Sequence, residues 1–228
     1  NNARLDFCLK IIDQIHDFAV AVKINDQYVK GFASKEHRKL TEYAREKSLI
    51  TIEDCKLGDI RDSAESNLFW MRNWNYDAIT INPLPGNLKQ ITELAHSYEP
   101  PIGLFVLTLM SNPEAVKYFK TATITGKQFY LSVADEVKEY DADGCIIAAT
   151  GHVTEDDIKA IRKCSGEDKV FLIPGVGRQK GDPDKVLKAS GQNVIVNIGR
   201  DIIYSDNPRK KAEEHNKILN EYVVKNRT

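Results

Sequence analysis

Residues 49–59 have the sequence Leu-Ile-Thr-Ile-Glu-Asp-Cys-Lys-Leu-Gly-Asp, an apolar beginning followed by charged groups. Because alternate residues of a β-strand share one face, Ile50, Ile52, Asp54 and Lys56 are predicted to point the same way. Charges that are buried without a partner are costly, so such groups usually pair with each other or take part in chemistry. The stretch therefore predicts a strand that ends in a charged site at the mouth of a barrel.

Short apolar runs alternate with longer amphipathic segments on both sides of this stretch. The apolar runs predict seven strands, at residues 19–24, 49–56, 78–82, 102–108, 144–149, 170–174 and 194–198. The amphipathic segments predict helices near residues 36–47, 61–75, 87–97, 126–140, 154–164, 183–190 and 208–222. A further helical pattern of leucine and isoleucine opens the chain. This alternation is typical of parallel βαβ units.

Seven strands that are each followed by a helix favour the α/β class and a (β/α)8 TIM barrel, which typically has about 250 residues. The chain is predicted to be a single barrel domain over residues 1–228. It opens with a helix that no strand precedes, so the simplest account places the first strand of the barrel upstream of Asn1. A doubly wound open sheet is the alternative, but the charged strand ends fit a barrel better.

Composition excludes several classes of protein. The 228 residues include 32 basic and 33 acidic ones, for a net charge of −1, which gives no electrostatic footprint for nucleic acid or an anionic membrane. No apolar run reaches the roughly 18 to 20 residues that span a bilayer. The cysteines form no CxxC pair and are predicted to be reduced thiols of a cytoplasmic protein; they are Cys8, Cys55, Cys145 and Cys164.

The strand ends place Lys23, Asp54, Lys56 and Asp59 at one edge of the predicted barrel, where such barrels build their active sites. Two neighbouring carboxylates raise each other's pKa unless cations separate them. The two lysines would supply those cations and give an alternating, nearly neutral network, so these four residues are the predicted catalytic set. A structural ion pair at the barrel rim remains the alternative for Asp54 and Lys56.

The last two strands end in residues that suit a phosphate group. They are Pro174, Gly175, Val176, Gly177 and Gln179 after one strand, and Gly199 and Arg200 after the next. Glycines let backbone N–H groups approach a ligand closely, and arginine can bind phosphate through two parallel hydrogen bonds. Because the loops after strands 7 and 8 of such barrels often bind phosphate, a phosphate site is predicted here. An ordinary glycine turn beside a surface arginine is the alternative.

Polar residues outside these groups carry weaker signals. Ser111 follows the run at residues 102–108 and could hydrogen-bond the edge of a planar ring, although a helix-capping serine is the alternative. The five histidines have no metal-ligand spacing, and no metal site is predicted.

In combination, these motifs resemble the orotidine 5′-phosphate decarboxylase family, in particular its microbial branch. The resemblance covers essentially the whole chain in order, through Lys23, Asp54-x-Lys56-x-x-Asp59-Ile60, Met110-Ser111, Pro174-Gly175-Val176-Gly177-x-Gln179 and Gly199-Arg200. It implies a carbon-carbon lyase that converts orotidine 5′-phosphate to UMP and CO2, the last step of UMP biosynthesis. It implies no metal and no organic cofactor.

The resemblance also implies roles for individual residues. Lys56 would stabilise and protonate the carbanion at C6, Asp54 would lie beside the substrate carboxylate, and Lys23 would contact the ribose. In a homodimer, Asp59 would enter the active site of the partner subunit, followed by Ile60 and Ser63. Ser111 would bind the pyrimidine edge, Gln179 would bridge pyrimidine and phosphate, and Arg200 would hold the phosphate together with nearby backbone N–H groups.

One departure and two alternatives accompany this interpretation. The family's first strand ends in an aspartate that contacts the ribose, and no residue of this sequence matches it. The nearest alternative function is a magnesium-dependent sugar-phosphate decarboxylase or aldolase of the same superfamily, which shares the first motif. A non-catalytic phosphate-binding barrel is the alternative from another class.

Overall fold

The computed structural model of the protein describes residues 3–176 and 183–225. Its strands are β1 (Ala21–Asn25), β2 (Ile50–Leu57), β3 (Ala78–Ile81), β4 (Gly103–Leu109), β5 (Thr123–Ile124), β6 (Lys127–Gln128), β7 (Gly144–Ile147), β8 (Val170–Pro174) and β9 (Val194–Asn197). Each of the seven predicted strands overlaps an observed strand whose ends differ by at most two residues. The two-residue strands β5 and β6 were not predicted.

The helices are α1 (Ala3–Ile15), α2 (Asp26–Val29), α3 (Ser34–Glu46), α4 (Arg61–Asn73), α5 (Leu88–Ser97), α6 (Phe129–Glu139), α7 (Glu155–Ser165), α8 (Pro183–Ser190), α9 (Arg200–Ile203) and α10 (Pro208–Lys225). The predicted helices agree with these to within three residues at each end. The four-residue helices α2 and α9 were missed because they are too short for an amphipathic pattern to emerge.

All seven long strands form one parallel sheet in the order β1-β2-β3-β4-β7-β8-β9. A doubly wound sheet would reverse its strand order at a switch point. Here every strand pairs with the next long strand along the chain, which confirms the barrel and rules out the open-sheet alternative. Within the described residues, β1 and β9 end the order of the sheet and do not pair with each other.

The alternation of side chains along the strands divides the core in two. The inner cluster lies inside the barrel and consists of Ile52, Ala78, Phe105, Leu107, Ile146 and Leu172. The larger outer cluster packs between the sheet and the helices. On β4, for example, Leu104 and Val106 belong to the outer cluster. Successive residues of each strand point to opposite faces of the sheet. A polar residue that lies an even number of positions from a member of the inner cluster therefore faces the barrel interior.

The segment between β4 and α6 differs from the prediction. It forms a π-helix at Val116–Thr121 and the β5–β6 hairpin, so the helix predicted to begin at residue 126 begins at Phe129. The hairpin turns at Thr125 and Gly126, whose φ angles of +50° and +85° suit a tight two-residue connection. Its strands are too short to show an alternating pattern, which is why the sequence did not reveal them.

The ends of the described chain pack together. Helix α10 contacts α1, and Arg209 of α10 forms a 2.6 Å ion pair with Asp17 just after α1. The side-chain amide of Asn216 donates a 3.0 Å hydrogen bond to the carbonyl of Phe18. These contacts bring the first and last helices together on the outside of the sheet.

Two further features bear on the class of protein. All four cysteines are free thiols, as the sequence predicted. Over residues 3–176 and 183–225, none of the helices combines the length and the apolar character that crossing a membrane requires.

Candidate active site at the carboxyl ends of the strands

The centre of the candidate site is the carboxylate of Asp54, which lies between two lysines. Strands β1 and β2 are parallel with Lys23 opposite Ile52, so Lys23 lies two residues before the level of Asp54 on the neighbouring strand. Lys23 Nζ forms an ion pair with Oδ2 of Asp54, and Lys56 Nζ lies 2.5 Å from Oδ1. The structure thus brings together three of the four residues of the predicted catalytic set.

Charge and burial differ sharply within this group. The side chains of Lys23 and Asp54 are 15% and 9% exposed, whereas that of Lys56 is 45% exposed. Burial alone would raise the pKa of Asp54, but the attraction and hydrogen bonds of Lys23 and Lys56 outweigh it and hold the pKa below its ordinary value. One carboxylate between two ammonium groups leaves a positive balance at the barrel mouth, which suits an anionic ligand.

Lys56 departs from regular strand geometry. Its φ is +50°, in the left-handed region, and the pairing of β2 with β3 shifts register between Glu53 and Leu57. The regular alternation that was predicted from Ile50 to Lys56 therefore ends before Lys56, although its ammonium still reaches Asp54. Residues other than glycine adopt this conformation at a cost of about 1 kcal/mol or more, and such strain is concentrated at functional sites.

Thr80 of β3 completes the group, and sequence reasoning missed it. Its side chain is fully buried. Its hydroxyl donates a 3.2 Å hydrogen bond to Oδ1 of Asp54 and accepts a 2.8 Å hydrogen bond from the backbone N–H of Lys56. The available signal was a polar residue two positions after Ala78, in phase with the inner cluster of an otherwise apolar strand.

Asp59 lies apart from this network. It is exposed beyond the end of β2, and in the described part of the chain it forms no ion pair with either lysine. Its Oδ1 accepts a 2.8 Å hydrogen bond from the N–H of Ile60, and its carbonyl accepts one from Asn87 at 3.0 Å. Ile60 is half exposed, and Ser63 is exposed in the first turn of α4. All three residues are thus exposed to solvent beyond the end of β2.

Ser111 lies where the loops after β4 and β7 touch. Gly151 has a φ of +71°, and a Cβ at this position would come within 2.4 Å of the carbonyl oxygen of Ser111. Only glycine can therefore occupy position 151 without moving the serine. Ser111 does not cap the helical segment that follows, because this segment begins at Val116.

The predicted phosphate residues lie at the ends of β8 and β9. Pro174 pairs in register with Asn197, so the two strands end at the same level. Gly175 follows with a φ of +102°, which favours glycine, and Val176 is buried. Gly199 and the exposed Arg200 follow β9. The remaining two residues of this prediction, Gly177 and Gln179, lie outside the described residues.

The residues around the site also bear on metal ligation. Within the described ranges, no group of three or more histidine, cysteine, aspartate or glutamate side chains is arranged so that it could hold a metal ion. The two oxygens of Asp54 both accept from lysine ammonium groups. Cations that are part of the chain itself therefore occupy the positions around this carboxylate.

Comparisons with known proteins agree with this geometry. Residues 2–215 match the model of the orotidine 5′-phosphate decarboxylase / HUMPS family. The orotidine 5′-phosphate decarboxylase of Caldicellulosiruptor saccharolyticus is 30% identical over 225 residues, which cover 86% of this chain and 72% of the relative. That of Clostridium acetobutylicum is 30% identical over 239 residues, which cover 96% and 80%.

Solved structures show the same fold. The orotidine 5′-monophosphate decarboxylase of Methanocaldococcus jannaschii, complexed with the inhibitor BMP, superposes with a TM-score of 0.80 at 22% identity, covering 95% of this chain and 94% of that one. A putative orotidine-monophosphate-decarboxylase of Plasmodium yoelii gives 0.85 at 23% identity, covering 97% and 74%. By its sequence and its fold, this chain belongs to the orotidine 5′-phosphate decarboxylase / HUMPS family.

Proposed function

We propose that this protein decarboxylates orotidine 5′-phosphate to UMP and CO2, the last step of UMP biosynthesis. The observation that carries the proposal is the placement of Asp54 between Lys23 and Lys56 at the mouth of a barrel of this family. Named relatives over most of the chain support the same substrate. The protein would be a carbon-carbon lyase that needs no metal or organic cofactor.

The chemistry asks for a fixed cation next to C6 of the pyrimidine. Loss of CO2 leaves an electron pair in the plane of the ring, where the π-system cannot delocalise it. The ammonium of Lys56 stabilises this charge and then delivers a proton to C6, forming the C–H bond of UMP. Lys56 is more exposed than Lys23 and is therefore accessible to a ligand. Its ion pair with Asp54 holds the ammonium in place. Each 1.4 kcal/mol or so of preferential transition-state stabilisation contributes about tenfold in rate.

The phosphate would bind across the opening of the barrel at the ends of β8 and β9. The glycine backbone at Gly175 and Gly199 would donate N–H groups, and Arg200 would neutralise the charge. Ser111 would bind the pyrimidine edge, and Gln179 would join the two parts of the ligand. Binding energy from such a remote group offsets the cost of ordering the reacting centre.

The active site would be shared between two copies of the chain. Asp59, Ile60 and Ser63 are exposed beyond the end of β2 and would reach the site of a partner subunit. Helix α4 continues from them with Phe69 and Trp70, which are 50% and 44% exposed. A second copy that covers these rings would bury apolar surface and place Asp59 beside the partner's lysines. Four free thiols and a balanced charge support a cytoplasmic location.

The charges around Asp54 also bear on the alternative function, a magnesium-dependent sugar-phosphate decarboxylase or aldolase. This alternative matters because the matched family covers more than the orotidine 5′-phosphate decarboxylases. A divalent cation bound to Asp54 would lie next to the ammonium groups of Lys23 and Lys56, which repel it. The site therefore favours the decarboxylase whose cation is a lysine. A non-catalytic barrel would bind UMP without turning over orotidine 5′-phosphate.

Turnover of orotidine 5′-phosphate in the presence of EDTA, followed by the ultraviolet change of the pyrimidine, tests the proposal. We expect turnover without added metal. Lys56→Ala should lower kcat at least a thousandfold, because it removes the cation from the developing charge, and calorimetry should show that UMP still binds. A strict magnesium requirement would favour the sugar-phosphate lyase. Binding of UMP without any turnover would leave the non-catalytic barrel.

A further inference from the structure

Thr80 lies at the point where the backbone of one site residue meets the side chain of another. A threonine hydroxyl offers one donor and two acceptor positions. Here the hydroxyl donates a hydrogen bond to Oδ1 of Asp54 and accepts one from the backbone N–H of Lys56. The hydroxyl is fully buried, so water does not compete for either hydrogen bond. One side chain of β3 thereby contacts two residues of β2.

The hydrogen bond from the N–H of Lys56 to Thr80 replaces a backbone hydrogen bond that regular pairing of β2 with β3 would provide. Between β2 and β3 the register passes from Glu53 opposite Ile79 to Leu57 opposite Ile81, so four steps along β2 correspond to two along β3. The extra residues bulge out of the ladder, and Lys56 adopts its left-handed φ there. Thr80 lies opposite this bulge and accepts the N–H of Lys56 in place of a backbone carbonyl. It therefore holds the strained backbone from which the ammonium extends.

From these contacts we infer that Thr80 is a positioning residue for Lys56 and Asp54. Its hydroxyl fixes the backbone of Lys56 and the orientation of the Asp54 carboxylate together, so the ammonium stays where charge develops. The inference rests on the function proposed above for its kinetic part. A displacement of about 1 Å can cost roughly a hundredfold in rate when a reacting group depends on its geometry. Thr80 itself does not touch the substrate.

If Thr80 served only to fill space in the barrel interior, its variants would behave differently. Valine has the shape of threonine without the hydroxyl, so Thr80→Val keeps the inner face filled. If the methyl group were what matters, the valine variant would be as active as the original. Thr80→Ser keeps the hydroxyl and loses the methyl, so the two variants separate hydrogen bonding from packing.

The chain offers a matched control in Thr51, near the start of β2. Thr51 is also fully buried. Its hydroxyl donates a 2.8 Å hydrogen bond to Oδ2 of Asp77 and accepts a 3.2 Å hydrogen bond from the N–H of Asp77. It thus has the same donor and acceptor pattern as Thr80, but it lies at the start of β2, whereas the partners of Thr80 lie near the end of that strand. Thr51→Val removes an equivalent pair of hydrogen bonds away from the site.

The experiment compares kcat and KM for orotidine 5′-phosphate among these variants. We expect Thr80→Val to lower kcat at least tenfold with KM changed less than threefold, and Thr80→Ser to recover most of kcat. Thr51→Val should lower the melting temperature comparably but keep kcat within twofold. A Thr80→Val variant with kcat within twofold of the original, or a Thr51→Val variant with an equal loss, would overturn the inference.

Hydrogen exchange of the Lys56 amide, followed by NMR, gives a readout that does not depend on turnover. Protection of this amide should fall at least tenfold in Thr80→Val and persist in Thr80→Ser and Thr51→Val. If the original protein had no activity, the proposed function would fail, while the exchange rates would still decide whether Thr80 holds Lys56. Unchanged protection in Thr80→Val would refute that contact.

Discussion

Two neighbouring carboxyl groups on β2 face opposite sides of the sheet, and their pKa values are shifted in opposite directions. Asp54 faces the barrel interior, where two lysines keep its pKa below the ordinary value. Glu53 faces the helices and is 1% exposed, and burial raises its pKa to about 8, with a hydrogen bond from Tyr76 acting in the other direction. Both are buried, so burial alone does not decide their charge. The difference lies in the cations that only the inner face supplies.

The surroundings of Glu53 form what we call the outer polar cluster, which consists of Glu53, Tyr76, His37 and Trp74. The hydroxyl of Tyr76 lies 2.9 Å from Nδ1 of His37, and the imidazole stacks on Trp74 with ring centroids 4.1 Å apart. Burial lowers the pKa of His37, so this cluster is uncharged near neutral pH. Oε2 of Glu53 accepts no hydrogen bond from the described residues. On the outer side of β2, this cluster therefore consists of polar groups without charge.

The largest effect is expected when the carboxyl groups of Asp54 and Glu53 are each replaced by an amide. Asp54→Asn should lower kcat at least a hundredfold, because Lys23 and Lys56 then repel each other without a carboxylate between them. Steady-state kinetics with orotidine 5′-phosphate would measure the loss. Glu53→Gln makes the same chemical change one residue earlier and should keep kcat within threefold. Similar losses in both variants would show that the two faces do not differ as described.

The pH dependence of stability sharpens the comparison. Between its unfolded value of 4.5 and about 8, Glu53 stays protonated in the folded protein but ionises on unfolding. The folded state then binds more protons, so stability falls as pH rises through this window, by a few kcal/mol on an order-of-magnitude scale. Urea denaturation from pH 5 to 8 should show this fall in the original protein and a flatter profile in Glu53→Gln. Parallel profiles would contradict a neutral Glu53.

The smallest expected effect comes from removing one hydroxyl of the outer polar cluster. Tyr76→Phe should destabilise the protein by about 1 kcal/mol, since it breaks the hydrogen bonds to Glu53 and His37. Thermal melting at pH 6 would measure the change, and kcat should stay within twofold. A large loss of turnover in this variant would mean that the outer face contributes to the site.

Much of the inner face was predictable from the sequence. Lys23, Asp54 and Lys56 end apolar runs of strand length, and parallel strands of a barrel bring such ends together. Asp59 was predicted as part of the same network, and it lies beyond the end of β2 at Leu57. The sheet order also followed from the regular alternation of strands and helices.

Other features left little trace in the sequence. Thr80 lies in the segment Ala-Ile-Thr-Ile, where threonine is an ordinary strand former, so only its phase with the inner cluster distinguished it, and nothing indicated its hydrogen-bond partners. The bulge at Lys56 depends on pairing with β3 and not on a local glycine. Glu53 looked like one more charge in a charged run, because its neutrality arises from packing of the outer face. Each of these depends on contacts between strands or layers that a linear pattern does not specify.

The sequential order of the sheet also has a consequence for how the chain folds. Every long strand pairs with one that precedes it by a single helical unit, apart from the β5–β6 insertion, so contacts between strands are local in sequence. Closing the loop between such neighbours costs less entropy than pairing strands from distant parts of the chain would. A growing polypeptide on the ribosome can therefore add each new strand to an edge that already exists. The contact between α1 and α10 has to wait until the last helix has been synthesised.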